Sequence, residues 1–251
     1  MELKKQLNGL ILFAEKKERL SLFILFVIAF ALRLLFVWYK YVTEGTAYWN
    51  DALYYLHIGE QFSIGNWNPE GVGGRVGMFV APILPLLVAS FFKVFGDAVI
   101  PFLLYNALLT SLMVYANYYL AKALFNQETA WVMAVWSVFF FWSFWYSRTV
   151  LKEASLFLLF PLVLLLIVKL IKEHKTIGVW DVFLSAFVFS VLIHLDERYL
   201  IYFPVLVLLL FLNRPFTLVI SLQRAGLWTF FVLLMMVPWT VRNYQVYNQL
   251  V

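Results

Sequence analysis

The stretch LSLFILFVIAFALRLLFVWYKYV, residues 20–42, decides the fold class. Its 23 residues hold one charge, Arg33, before Lys40. Wound as a helix they reach about 34 Å, more than the roughly 30 Å hydrocarbon core of a bilayer. The run closes on Phe36-Val37-Trp38-Tyr39-Lys40-Tyr41, an aromatic girdle of the kind found at a membrane–water boundary. Lys4, Lys5, Lys16, Lys17 and Arg19 precede it, so the segment reads as an uncleaved signal anchor whose amino terminus is cytoplasmic. A cleavable signal would have a shorter apolar core ending in small residues. Residues 1–19 read as a cytoplasmic amphipathic segment, with Leu7, Leu10, Ile11 and Phe13 towards lipid.

Outward from this anchor, apolar runs over 98–121, 129–147, 154–171, 178–194, 199–213 and 225–241 predict six more spans, seven in all. A further run, Met78 to Phe95, has Pro82 and Pro85 near its start and is marginal in length. It reads as a helix embedded from the outer side. Composition agrees, since 64% of the 251 residues are hydrophobic and only 13% charged, outside the range of soluble domains. None of the runs alternates as a membrane β-barrel strand does. The expectation is an all-α polytopic integral membrane protein. It forms one module over 1–251, with a first outer loop over 43–97 that carries interfacial and embedded helices. The membrane is the cell (inner) membrane, or an ER-type membrane in a eukaryote, with the active face outside.

The net charge of +5 does not point to nucleic acid, because the basic residues lie mostly in short connections between apolar runs and follow topology. The absence of cysteine excludes disulfides, a thiol nucleophile and a thiolate metal site. Polar content worth reading concentrates in the outer loop and three helix ends.

In Trp49-Asn50-Asp51-Ala52-Leu53-Tyr54-Tyr55 an acid stands just beyond the first span. Residues 50 to 65 place Leu53, Leu56, Ile58 and Phe62 among polar residues, which predicts a surface helix with Asp51 in its first turn. A first-turn carboxylate is either a helix cap or a site acid. Tyr54 and Tyr55, one helical turn on, either hold a substrate or anchor the helix in the interface. Arg148 and Glu153, in Tyr146-Ser147-Arg148-Thr149-Val150-Leu151-Lys152-Glu153, are five apart and would not share one helical face. That spacing predicts a break near Thr149, with Glu153 opening the next span; Lys152 beside it is a further substrate-binding candidate. His194-Leu195-Asp196-Glu197-Arg198-Tyr199 interrupts an apolar stretch and reads either as a solvated hairpin with internal ion pairs or as a polar cavity wall offering Arg198 to a phosphate. Pro238-Trp239-Thr240-Val241-Arg242-Asn243-Tyr244 closes the last span with an arginine suited to bidentate phosphate binding. Arg75, in the glycine-rich run 71–77, is a fourth phosphate candidate, although the run lacks the lysine and hydroxyl residue of a P-loop. Arg33 needs a partner within the span, either structural or a lipid headgroup.

Together these pieces resemble the GT-C superfamily of polyprenyl-phosphate-dependent glycosyltransferases, in particular relatives of protein O-mannosyltransferases and lipid A aminoarabinose transferases. The resemblance runs through Asp51 with Tyr54, Tyr55 and Gly65, the proline-containing segment from Phe79 to Gly96, Tyr146-Ser147-Arg148 with Glu153, and the motif from Pro238 to Tyr244. It implies catalytic roles for Asp51 and Glu153. The implied donor is a polyprenyl-phosphate sugar in membrane lipid, and the acceptor a protein, glycan or lipid; no nucleic acid takes part. Asp51 would act as general base, with inversion at the anomeric carbon, and Arg148, Arg198, Arg242 and Arg75 would meet the donor phosphate. Relatives often carry a second acid where this chain has Ala52, and the sequence does not require a divalent metal. Relatives also usually continue past the seventh span, whereas this chain stops at Val251. The alternative is therefore a non-catalytic GT-C-like subunit, or a lipid-glycan binding or translocation component of a larger complex.

Overall fold

The computed structural model describes residues 17–45, 50–67, 81–172, 178–212 and 217–248. The expectations for residues 1–16 and for the glycine-rich run 71–77 with Arg75 lie outside them. Among the described residues the fold is all helical. In chain order it comprises α1 (Glu18–Glu44), α2 (Asn50–Ser63), α3 (Ile83–Phe95), α4 (Val99–Leu124), α5 (Gln127–Phe139), α6 (Phe141–Ser147), α7 (Glu153–Lys172), α8 (Val179–Leu195), a 3-10 helix (Glu197–Tyr202), α9 (Phe203–Phe211) and α10 (Leu218–Tyr247).

Helices α1, α4, α7 and α10 are long and apolar enough to cross a membrane, and α5 with α6 makes a fifth such element, bent by 41°. This is a membrane-embedded helical architecture. Three of the expected spans differ in form. Residues 129–147 are one path broken at Phe140, residues 199–213 begin as 3-10 helix before the nine-residue α9, and the last helix runs well beyond 225–241 at both ends. The described part of α3, 13 residues, covers about 20 Å and is too short to cross alone.

Side-chain pattern explains the packing. Helix α1 buries one stripe, Leu22, Ala29, Arg33 and Val37, spaced by whole helical turns, and leaves Phe23, Val27, Leu35 and Trp38 exposed, as a lipid-facing helix does. The stripe meets α4 and α5 through Ala121, Ala130 and Ala134, small residues that let membrane helices approach closely. Helix α4 packs against α1, α5 and α7 and is the central post of the bundle. On its far side Trp228 of α10 stacks on Phe189 of α8 and Phe203 of α9, with centroids at 5.1 and 5.7 Å.

The break at Phe140 contains no glycine or proline. Its ψ of 110° takes the chain out of helix and deprives the last carbonyls of α5 of their usual partners. Arg33, fully buried in α1, supplies donors: Nη2 bonds Ser137 O at 2.9 Å and Ser143 Oγ at 2.7 Å, and Nη1 bonds Ala29 O at 2.9 Å. Of the two partners open to Arg33, the structure shows the structural one. A cation at a helix carboxyl end also has favourable sign.

Interhelical pairs sort the bundle into two ends. At one, Lys122 bonds Glu18 at 2.6 Å and Lys169 pairs with Asp181 at 3.2 Å. At the other, Arg148 bonds Glu44 at 2.7 Å and Lys152 pairs with Asp196 at 3.3 Å. Helices α2 and α3 belong to the Glu44 end and pack tightly on each other. Gly59 makes that approach feasible: a Cβ there would stand 2.4 Å from Val88 Cγ1 and 2.6 Å from Val88 Cβ. Gly59→Ala should therefore destabilise the α2–α3 unit by about 1–3 kcal/mol through overpacking. Thermal unfolding in detergent reads this out, and a midpoint equal to wild type would contradict the tight contact.

Candidate functional site

A groove of about 930 Å³ opens beside α7 and ends among charged residues at the Glu44 end. Its walls are Met113, Asn117 and Leu120 from α4, Met133, Trp136 and Ser137 from α5, and the α7 face from Glu153 through Leu156, Phe157, Phe160 and Pro161 to Leu164. Those eleven α7 steps give it a length of about 16 Å along the helix. The 3-10 helix closes the other side with Tyr199, Ile201 and Tyr202. Trp136 and Ile201 on its margin are 64% and 73% exposed, so the groove opens sideways through the apolar surface of the bundle.

The mouth is built by two helix starts. The turn after α6 ends α7's lead-in at Lys152 and makes Glu153 the first residue of α7, where a carboxylate is favoured by the helix amides. The end of α8 at Leu195 and the extended Asp196 bring Asp196 and Arg198 to the same place. Asp196 is 1% exposed. Its carboxylate accepts from Arg198 Nε at 2.8 Å and Nη2 at 2.5 Å, accepts from the Arg198 backbone N–H at 3.2 Å as cap of the 3-10 helix, and pairs with Lys152 Nζ. Burial opposes ionisation of Asp196, but the Arg198 bond and the Lys152 ammonium outweigh it and hold the carboxyl below the usual aspartate range. The same contact raises the Arg198 guanidinium. Glu153 is half-buried, and its Oε2 is buried with no hydrogen-bond partner. An orphaned carboxylate oxygen on a cavity wall is an acceptor without a donor, a costly state that a bound hydroxyl would relieve.

Tyr55 joins α2 to this mouth. Burial first, then the charges of Asp51, Glu153, Glu197 and Asp196, keep its phenol protonated well above the ordinary range. Asp51, exposed in the first turn of α2, and Glu153, on the groove wall, thus act electrostatically on one tyrosine. The arrangement can accept a proton at a carboxylate, donate a hydrogen bond from a phenol, and offer the remaining edge of an Arg198 fork that is 72% exposed.

The other expected site residues fall elsewhere. Tyr54 is 5% exposed and packs with Ile58, Phe62, Ala89 and Trp239, so its ring is part of the core. Arg148 is held by Glu44 and stacks on Trp145 at 4.8 Å, and it is not among the groove's lining residues. Arg242 stacks on Trp239 at 4.6 Å, bonds Asn243 Oδ1 at 2.9 Å and the Trp67 carbonyl, and lines a separate cavity of about 390 Å³ with His194. Ala52 is fully buried, and a carboxylate there would enter the core unpaired. No group of three His, Cys, Asp or Glu among the described residues could hold a metal ion.

Sequence reading underrated Asp196, the buried anchor of both cations at the mouth. The available signal was an acid placed beside Arg198 at a chain reversal. It also missed Asn106, a fully buried amide in the apolar α4. Comparison with known proteins finds no matching family model, curated protein or solved structure.

Proposed function

We propose that the chain is a membrane glycosyltransferase of GT-C type that takes a sugar from a polyprenyl-phosphate donor. The observation that carries this reading is the junction of an apolar, sideways-opening groove with a mouth holding a half-buried carboxylate and two cations. A groove about 16 Å long suits a hydrocarbon chain drawn from the bilayer, and the charged mouth suits a headgroup that meets water. On this reading α8 and the 3-10/α9 path also cross, giving seven spans. The Glu44 end is the outer face, the amino terminus is cytoplasmic, and the acceptor is a protein, glycan or lipid.

The acceptor hydroxyl attacks the anomeric carbon from the side opposite the phosphate, so the new C–O bond forms as the old one breaks and configuration inverts. Asp51 takes the hydroxyl proton as general base. The lipid phosphate leaves with the bonding electron pair, and the free edge of Arg198 stabilises its growing charge. Glu153 orients the sugar or acceptor through its orphaned oxygen. A second reading, a lipid-glycan binding subunit without turnover, is favoured by one fact: Asp196 already draws both Lys152 and Arg198.

Purified protein given polyprenyl-phosphate sugars and acceptor libraries separates the two. Release of lipid phosphate with sugar transfer supports the enzyme, whereas donor binding without turnover supports the subunit. Leu164→Trp, which fills the far end of the groove, should raise KM for long-chain donors about tenfold, the burial of roughly two methylenes, and spare short-chain ones. An equal effect on both chain lengths would place the lipid elsewhere.

A further inference from the structure

The turn that delivers Glu153 is buried. Thr149, Val150 and Leu151, between α6 and α7, are 1%, 1% and 5% exposed although they lie at an end of the bundle. Carbonyls in such a turn have no water and must find donors within the protein. Asn106 of α4, fully buried, donates from Nδ2 to Thr149 O at 2.8 Å, which also accepts from the Leu151 N–H at 3.0 Å, and to Tyr146 O of α6 at 3.3 Å. The first bond seats the turn and the second closes the end of α6. Asn106 Oδ1 meanwhile is buried with no hydrogen-bond partner. An amide kept in an apolar helix with its acceptor unmet is there for its donors.

The backbone of α4 at Asn106 is also linked to α6. Thr110 Oγ1 donates to Asn106 O at 2.7 Å and lies 2.9 Å from Ser147 Oγ, which donates to Ser143 O at 2.5 Å. Arg33 reaches Ser143 Oγ, so one buried polar chain runs from the break at Phe140 to the turn. Beyond the turn, Tyr105 and Ser155 join α4 to the first turn of α7 at 3.2 Å. Helix α4 thus bonds the chain on both sides of Glu153, to the Thr149 carbonyl before it and the Ser155 hydroxyl after it.

We propose that Asn106 is a positioning residue for Glu153: its amide donors fix the turn through buried Thr149–Leu151 and with it the direction in which Glu153 meets the groove. The catalytic consequence rests on the transferase reading, but the geometric one does not. Because the chain has no cysteine, Glu153→Cys provides a single thiol whose maleimide reaction rate reports how that position is held. Combined with Asn106→Leu, which keeps volume and removes the donors, the rate should rise roughly tenfold, the worth of a lost buried hydrogen bond. Combined with Asn106→Ser, which loses volume and keeps one donor, it should stay near the parent value. The opposite ranking, or equal rates in folded Leu and parent proteins, would overturn the proposal. Should the Leu variant not fold, Asn106→Ser against Asn106→Ala, similar in size and differing by one hydroxyl, carries the same comparison.

Activity separates the two levels. In the otherwise native chain Asn106→Leu should reduce transfer through the same sugar or acceptor KM that Glu153→Gln alters. If Glu153→Gln abolishes transfer while the thiol rate ignores Asn106, the positioning role falls alone. If the thiol rate responds while Glu153→Gln remains fully active, the positioning role stands and the catalytic assignment of Glu153 falls.

Discussion

On the proposed transferase reading, Asp51→Asn is expected to lower the rate of sugar transfer by about 10²–10⁴-fold, the usual contribution of a positioned general base, with stability changed by no more than about 0.5 kcal/mol. The small stability effect follows from the exposure of Asp51 on α2, and the large kinetic one from its charge acting on the same tyrosine as Glu153. Asparagine keeps the shape and the hydrogen-bonding reach of aspartate but cannot take a proton. The loss should therefore appear in kcat, with donor affinity retained. Glu153→Gln should also reduce transfer, in its case with altered sugar or acceptor KM, because it turns an orphaned acceptor oxygen into a mixed donor and acceptor. Initial rates at several donor and acceptor concentrations distinguish the two. Unchanged kcat in Asp51→Asn would remove the base assignment.

Asp196→Asn has a large expected effect on stability. Its carboxylate is buried and serves Arg198, Lys152 and the cap of the 3-10 helix at once, so one substitution loosens the hairpin and the start of α7 together. Because Arg198 is mostly exposed, the cost lies between that of a surface pair, under about 1 kcal/mol, and the 3–5 kcal/mol of a fully buried one; about 2 kcal/mol is expected. The pH dependence has a defined sign. Asp196 is held below its ordinary value, so its contribution is complete above the unfolded aspartate pKa of about 3.9 and is lost as pH falls through the lower folded value. Thermal unfolding of wild type and Asp196→Asn should converge in that acidic window and separate above it. Parallel curves throughout would show that the carboxylate charge is not what holds the hairpin.

Much of the scaffold was readable from residue pattern. Apolar length and the Phe36–Tyr41 girdle placed α1 to within two residues at each end, and the polar interruption at Arg148-Thr149 marked the α6–α7 break because a buried charge is costly. The surface helix with Asp51 in its first turn followed from the spacing of Leu53, Leu56 and Ile58. The bend at Phe140 was not readable: no proline or glycine marks it, and its carbonyls are satisfied by Arg33 from a helix remote in sequence. Cations were hard to assign for a related reason. Arg148 and Arg198 look alike in one dimension, and only packing shows that one is joined to Glu44 and the other stands at the groove. Asn106 offers the same lesson, since an amide in an apolar run gives no sign of which backbone it serves.

The placement of the donor lipid tests the central claim most directly. A polyprenyl-phosphate sugar bearing a photoreactive group on its chain, cross-linked to the full chain in bilayers and mapped by mass spectrometry, should mark the groove beside α7, at Trp136, Phe157 and Phe160. Unlabelled donor should compete for those adducts. Competed adducts confined instead to the shallow apolar surface of α1 and α4, at Trp38, Leu35 and Leu104, with none beside α7, would contradict it.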